Sequence, residues 1–90
     1  MSDLDAYEIH ILKRLIYAEQ YEDIVKESIA NEFITADCLR SLLRKKYISV
    51  WFQTELSTEL KQTFIFDSDK LQKYSFKATV KGLDSILFNS

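Results

Sequence analysis

The sequence has no proline, one glycine, one cysteine and one histidine, and each scarcity removes a class of protein. Without proline and nearly without glycine, nothing reads as an interdomain linker. No repeat or low-complexity tract is present, so residues 1–90 read as one domain. A lone glycine cannot build a glycine-rich phosphate cradle. The single cysteine, Cys38, excludes an internal disulfide framework and fits a reducing compartment. His10 has no Cys or His partner at ligand spacing, so neither a metal site nor any other cofactor is expected. No apolar run approaches the roughly 20 residues needed to span a bilayer. The acidic start, Met1-Ser2-Asp3-Leu4-Asp5, lacks the basic and apolar parts of a signal peptide. The expected location is therefore the cytoplasm, with no membrane partner. Carboxylates gather at Glu19, Glu22, Asp23 and Glu27 without a base or nucleophile beside them, and no enzyme is expected.

What remains is ample material for a small core. Apolar residues are 47% and charged residues 29% of 90, with six Phe, five Tyr and one Trp. That balance suits a folded domain rather than a disordered chain. The net charge of −2 is unevenly spread. Residues 1–32 hold eight acids and three bases, residues 36–46 four bases and one acid, and residues 47–90 five of each. Positive charge is thus confined to one short segment, which reads as a helix.

Periodicity gives the order of elements. Leu4, Tyr7, Ile11, Leu12, Leu15 and Ala18 follow the spacing of one helical face over residues 4–18, with Ser2 or Asp3 as the cap. Glu19-Gln20-Tyr21 reads as a connection, followed by a helix over 22–29 that buries Ile24, Val25, Ser28 and Ile29. A third helix spans 36–46, with Ala36, Leu39, Leu42 and Leu43 inward. Thr35 is its preferred cap, and Asn31 would cap a longer version. Tyr47 to Phe52 is β-branched and aromatic, as a strand should be. Thr63-Phe64-Ile65-Phe66 is a candidate second strand, with Asp67-Ser68-Asp69 as a turn. Tyr74, Phe76, Ala78 and Val80 alternate with polar residues in a strand over 71–80. Val80, Leu83, Ile86 and Leu87 return to helical spacing over 80–88, with Thr79 as the cap.

Two stretches resemble a known family. Tyr74-Ser75-Phe76-Lys77-Ala78-Thr79-Val80-Lys81-Gly82 is similar to a tyrosine-bearing wing strand entering a Thr-x-x-Gly turn. Leu39-Arg40-Ser41-Leu42-Leu43-Arg44-Lys45-Lys46-Tyr47-Ile48 is similar to a leucine-spaced recognition helix with a basic end. Together they resemble winged helix-turn-helix regulators of the multiple-antibiotic-resistance and phenolic-acid repressor types. The resemblance implies an α+β winged helix: a three-helix cluster, a β-hairpin wing and a short C-terminal helix. It also implies a DNA-binding transcriptional regulator. Lys46 departs from the pattern, since a glycine often ends the recognition helix there; a left-handed lysine would cost roughly 1 kcal/mol.

On that reading helix 36–46 enters the major groove and the 53–73 hairpin lies beside it. Arg40 and Arg44 are four apart and share a face, from which arginine can grip a guanine edge. Ser41 and Lys45 would position the backbone, Thr35 is a further expected DNA contact, and Lys61, Lys70 and Lys73 would meet phosphates from the hairpin. The plainer alternative is a solvated basic face favoured by the helix dipole. A homodimer on double-stranded DNA is expected, joined through the end helices 4–18 and 80–88. The rival function is a winged-helix protein-interaction module, favoured by the acidic first third. Trp51 and Phe52 face opposite sides of their strand, so one of them could belong to a protein partner's surface. Asp37, Asp67 and Asp69 would oppose DNA.

Overall fold

Asp5 sets the first helix, α1 (Ala6–Arg14), through a reciprocal cap. Its carboxylate accepts from the Glu8 amide at 2.8 Å, and Glu8 accepts from the Asp5 amide at 3.1 Å. This satisfies two of the amides that a helix start leaves unpaired. The computed structural model describes residues 4–53, 56 and 58–89, with 88 and 89 by backbone alone; the expected caps Ser2 and Asp3 lie outside them. The helix is shorter than its apolar spacing suggests. Leu15 is fully buried and its carbonyl accepts from the Ala78 amide at 2.7 Å. That bond draws the chain out of helical conformation, and Glu19–Gln20 then form a short strand, β1, where a plain connection was expected.

Helix α2 (Tyr21–Glu27) follows at once and ends two residues earlier than expected. Ser28 turns extended, and Ile29, expected inside, is 71% exposed. Helix α3 (Glu32–Arg44) begins at the longer of the two alternatives. Asn31 is the cap, its side-chain oxygen accepting from the Ile34 amide at 2.9 Å. Thr35, the preferred cap, instead lies inside the helix and is completely buried. Its hydroxyl sits 2.9 Å from the Asn31 carbonyl and 2.8 Å from Ser28 Oγ.

The end of α3 is a Schellman turn. Tyr47 donates to the Leu42 carbonyl at 2.9 Å and Lys46 to the Leu43 carbonyl at 3.1 Å. This geometry requires the left-handed conformation at Lys46, whose φ is 66°. Strand β2 (Ile48–Phe52) leaves from that turn.

The sheet has four strands in the order β1-β4-β2-β3, every neighbouring pair antiparallel. Strand β3 is Lys61–Thr63 and β4 is Ser75–Ala78. The expected strand over 63–66 is displaced: Thr63 closes a tight loop on Ile65, with Oγ1 accepting from its amide at 3.1 Å. Phe64 and Ile65 are consequently exposed. Because β3 and β4 flank β2, residues 64–74 must cross from one side of it to the other. Leu71 anchors that crossing in the core from a 3₁₀ turn, Leu71–Lys73, so the last strand is shorter than the alternation over 71–80 suggests. Asp67-Ser68-Asp69 forms the expected turn, with Asp67 accepting from the Asp69 and Lys70 amides.

Ile48, Val50, Phe76 and Ala78 share the buried face of the sheet and join Leu12, Leu15, Ile24, Leu39 and Leu42 in one core. Each such side chain contributes about 1.5–3 kcal/mol by leaving water. The reverse face carries Trp51, whose indole donates to Ser49 Oγ at 2.8 Å, with the Lys77 ammonium 6.0 Å from the ring centroid. Trp51 and Phe52 are both half-buried.

Helix α4 (Val80–Asn89) closes the fold on the α3 turn. Thr79 accepts from the Gly82 amide and donates to the Lys46 carbonyl, acting as the expected cap and as a tie between elements. Gly82 is needed for close approach, since a Cβ there would lie 2.1 Å from the Tyr47 carbonyl oxygen. The fold class is α+β, and no described helix is long and apolar enough to cross a membrane.

Candidate interaction surface

Helix α3 is the element on which most of the expected site residues lie, and its start at Asn31 changes what it presents. The early cap adds a turn, so Glu32 and Phe33 stand at the leading end, with Ile34 and Asp37 behind them. Phe33 is 84% exposed and Ile34 38%. Thr35 and Ala36, between Ile34 and Asp37, face the core.

Two shallow hollows flank this end. One, of about 290 Å³, is lined by Asp5, Tyr7, Ile34, Asp37, Cys38 and Ser41, between the start of α1 and α3. The other, also about 290 Å³, lies between α3 and the crossing segment and includes Glu32, Phe33, Ala36, Asp69 and Leu71. The first is mainly apolar and the second more polar than apolar, and carboxylates line both. Glu32 accepts from the Tyr21 hydroxyl at 3.1 Å. Burial, with that hydrogen bond and the Glu32 charge behind it, raises the Tyr21 hydroxyl above its ordinary pKa.

The expected DNA contacts are dispersed by the fold. Thr35 is buried and cannot reach a duplex, which corrects its place among them. Arg40 donates through Nε to the Ser68 carbonyl at 2.9 Å and pairs through Nη1 with Asp37 at 3.1 Å. The arginine expected to read a base thus holds the acidic 67–69 turn against α3. Lys45 turns the other way, to α1, where its ammonium lies 3.1 Å from a Glu8 oxygen. Glu8 is 4% exposed, and such a buried pair is costly to break once formed. Lys45 is therefore a brace between α1 and α3. Ser41 is half-buried beside the Asp5 hollow.

Arg44 is exposed and pairs with no described side chain. It shares a hollow with Arg40, Leu43, Phe66 and Ser68. Lys61, Lys70 and Lys73 are exposed at separate points, on the edge strand, after the acidic turn and at the end of the 3₁₀ turn. Lys73 lies by Glu22 in a polar hollow away from α3. Of the eight expected residues, only Arg40 and Arg44 share a site.

Cys38 is buried in α3. Burial, then the nearby Asp5, Glu8 and Asp37 charges, push its thiol up to about 11. It is a protonated core residue at neutral pH rather than a nucleophile. Among the described residues, no group of three His, Cys, Asp or Glu side chains is placed to hold a metal ion.

Sequence reasoning missed Glu8, Phe33 and the two hollows. Asp5-x-x-Glu8 is a capping-box spacing and was available as a signal. Phe33 belongs to the third helix only in the longer version that Asn31 caps, so its place depends on where α3 starts. No protein-family model, curated protein or solved structure matches the chain.

Proposed function

We propose that the chain is a winged-helix domain in which the leading end of α3 recognises a protein rather than duplex DNA. The fold reading is supported by the order helix, strand, helix, helix, strand and returning strand, with β4 between β1 and β2. The functional reading rests on one observation: the end of α3 that a DNA reader would insert carries Glu32, Phe33, Ile34 and Asp37. In helix-turn-helix proteins the first residues of the recognition helix meet base edges, under a dense field of phosphates. Two carboxylates there would repel the duplex, and Phe33 would lie unused against it. An exposed aromatic beside a shallow hollow is instead the anchor that protein interfaces favour.

The test pairs a photocrosslinking amino acid at position 33 with one at Lys26 on α2 as a control, in cells that make the protein. Protease-sensitive, nuclease-resistant adducts from position 33 alone are expected. Adducts that nuclease removes would overturn the reading.

Duplex binding is the second reading, favoured by the unpaired Arg44 beside Arg40. A homodimer would then be needed to make enough contacts. It predicts non-specific affinity of about 10⁻⁴–10⁻⁶ M that falls steeply with salt and is lost on Arg44→Ala.

A further inference from the structure

We propose that the partner bound at the leading end of α3 is a basic amphipathic helix, its apolar side seated on Phe33 and its lysines or arginines meeting the carboxylates around it. This deepens the protein-recognition reading and rests on it.

Both the apolar and the charged parts of the surface point to that partner. Phe33 lines one hollow with Ala36 and Leu71, and its neighbour Ile34 lines the other with Tyr7. Exposed Phe33 and Ile34, with a mainly apolar hollow beside Ile34, match the apolar stripe of a helix, whose side chains recur every three to four residues. The rim carries Asp5, Asp37, Glu32 and Asp69. Against them stands one guanidinium, Arg40, already bound to Asp37 and to the Ser68 carbonyl. Glu8 is in the Asp5 hollow too, but Lys45 neutralises it.

Asp37 gives Arg40 only Oδ1, and Asp5 gives the Glu8 amide only Oδ1, so each has its second oxygen to offer a partner. A ring of carboxylates around an apolar anchor attracts cations and repels nucleic acid, anionic lipid and acidic peptides alike. A polar uncharged partner would leave the anchor unpaired. A helix with leucines on one side and lysines on the other satisfies both parts.

The experiment uses the full chain, labelled for amide spectra, and two synthetic peptides about four turns long. One has a leucine face and a lysine face; its twin carries glutamate in place of lysine. The lysine peptide is expected to shift the amides of residues 5–8 and 32–37. Its affinity should fall at least about tenfold in Phe33→Ser and in the double variant Glu32→Gln, Asp37→Asn, the scale of losing an interface anchor. Added salt should weaken binding in the wild type and matter less in the double variant. Phe33 is exposed, so Phe33→Ser should keep the native amide spectrum elsewhere.

Binding of neither peptide, equal binding of both, or shifts that map away from α3 would overturn the proposal. So would self-association that Phe33→Ser abolishes, since the occupant would then be a second copy. Equal binding that still depends on Phe33 would overturn the basic partner and leave the protein-recognition reading standing. Duplex DNA shifting the same amides would take the protein-recognition reading with it.

Discussion

Single residues carry the joint between α3 and α4. Lys46 holds a left-handed conformation that glycine adopts without strain, because the Schellman turn needs it there. Lys46→Gly should therefore stabilise the protein by about 1 kcal/mol in urea denaturation, with an unchanged slope. Gly82 behaves in the opposite sense. A methyl group would collide with the Tyr47 carbonyl, which already accepts from the Thr79 amide at 3.0 Å. Backbone cannot swing aside as a flexible side chain does, so Gly82→Ala should cost about 3 kcal/mol or more. An equal response to both substitutions would show that the joint is not packed this way. The Thr79-x-x-Gly82 pattern was visible in the residues. Its reason, contact with a carbonyl 35 positions earlier, was not.

At the scale of elements, the decisive choice is where α3 begins. Asn31 and Thr35 are both good caps by composition, and both lead into the same apolar stripe. Thr35 was claimed by the core, since Ser28 and the Asn31 carbonyl occupy its hydroxyl. The cap then falls to Asn31. Asn31→Ala should cost about 1 kcal/mol, and Asn31→Asp should retain the stability by keeping an acceptor at the positive end of the helix. Were Asn31→Ala silent in thermal denaturation, the helix would start at Thr35 and Phe33 would not stand on it. Similar competition decided α1, whose spacing runs to Ala18 while the Leu15 carbonyl was taken by β4. It also decided β3, where Phe64-Ile65-Phe66 is as strand-like as any stretch in the chain. Local preference loses whenever a long-range bond or a buried position claims the same residue.

Across the whole molecule, stability should depend on pH through Cys38. Its thiol is raised from 9.0 to about 11 in the folded chain. A group raised on folding supports the fold fully below its unfolded pKa, and that support fades as pH rises through the folded value. Stability should therefore fall between about pH 9 and pH 11, and Cys38→Ala should flatten that part of the curve. The cavity left by the substitution would lower the curve at every pH, so slope and height separate the two effects. Thiol labelling of the native protein at neutral pH should be slow and should speed up with denaturant. The same burial keeps Cys38 out of any role on the surface beside it.

The sequence by itself determined the α+β class, the three helices and the β-branched strand that follow one another, the buried leucines of α3 and the turns at Asp67 and Thr79. These depend on residues within a few positions of each other, where periodicity and capping chemistry act directly. Only the tertiary structure decided that Arg40 clasps the Ser68 carbonyl, that Lys45 braces Glu8, that Glu19 and Gln20 pair with β4, and that Phe33 is left outside. Each of these joins or separates residues distant in the chain, and a side chain's charge or apolar character does not say which neighbour will satisfy it. The basic segment reads as a nucleic-acid face by its charges alone, and their partners are set by the fold. Folding spends two of its bases on contacts within the molecule and sets carboxylates around the aromatic that remains.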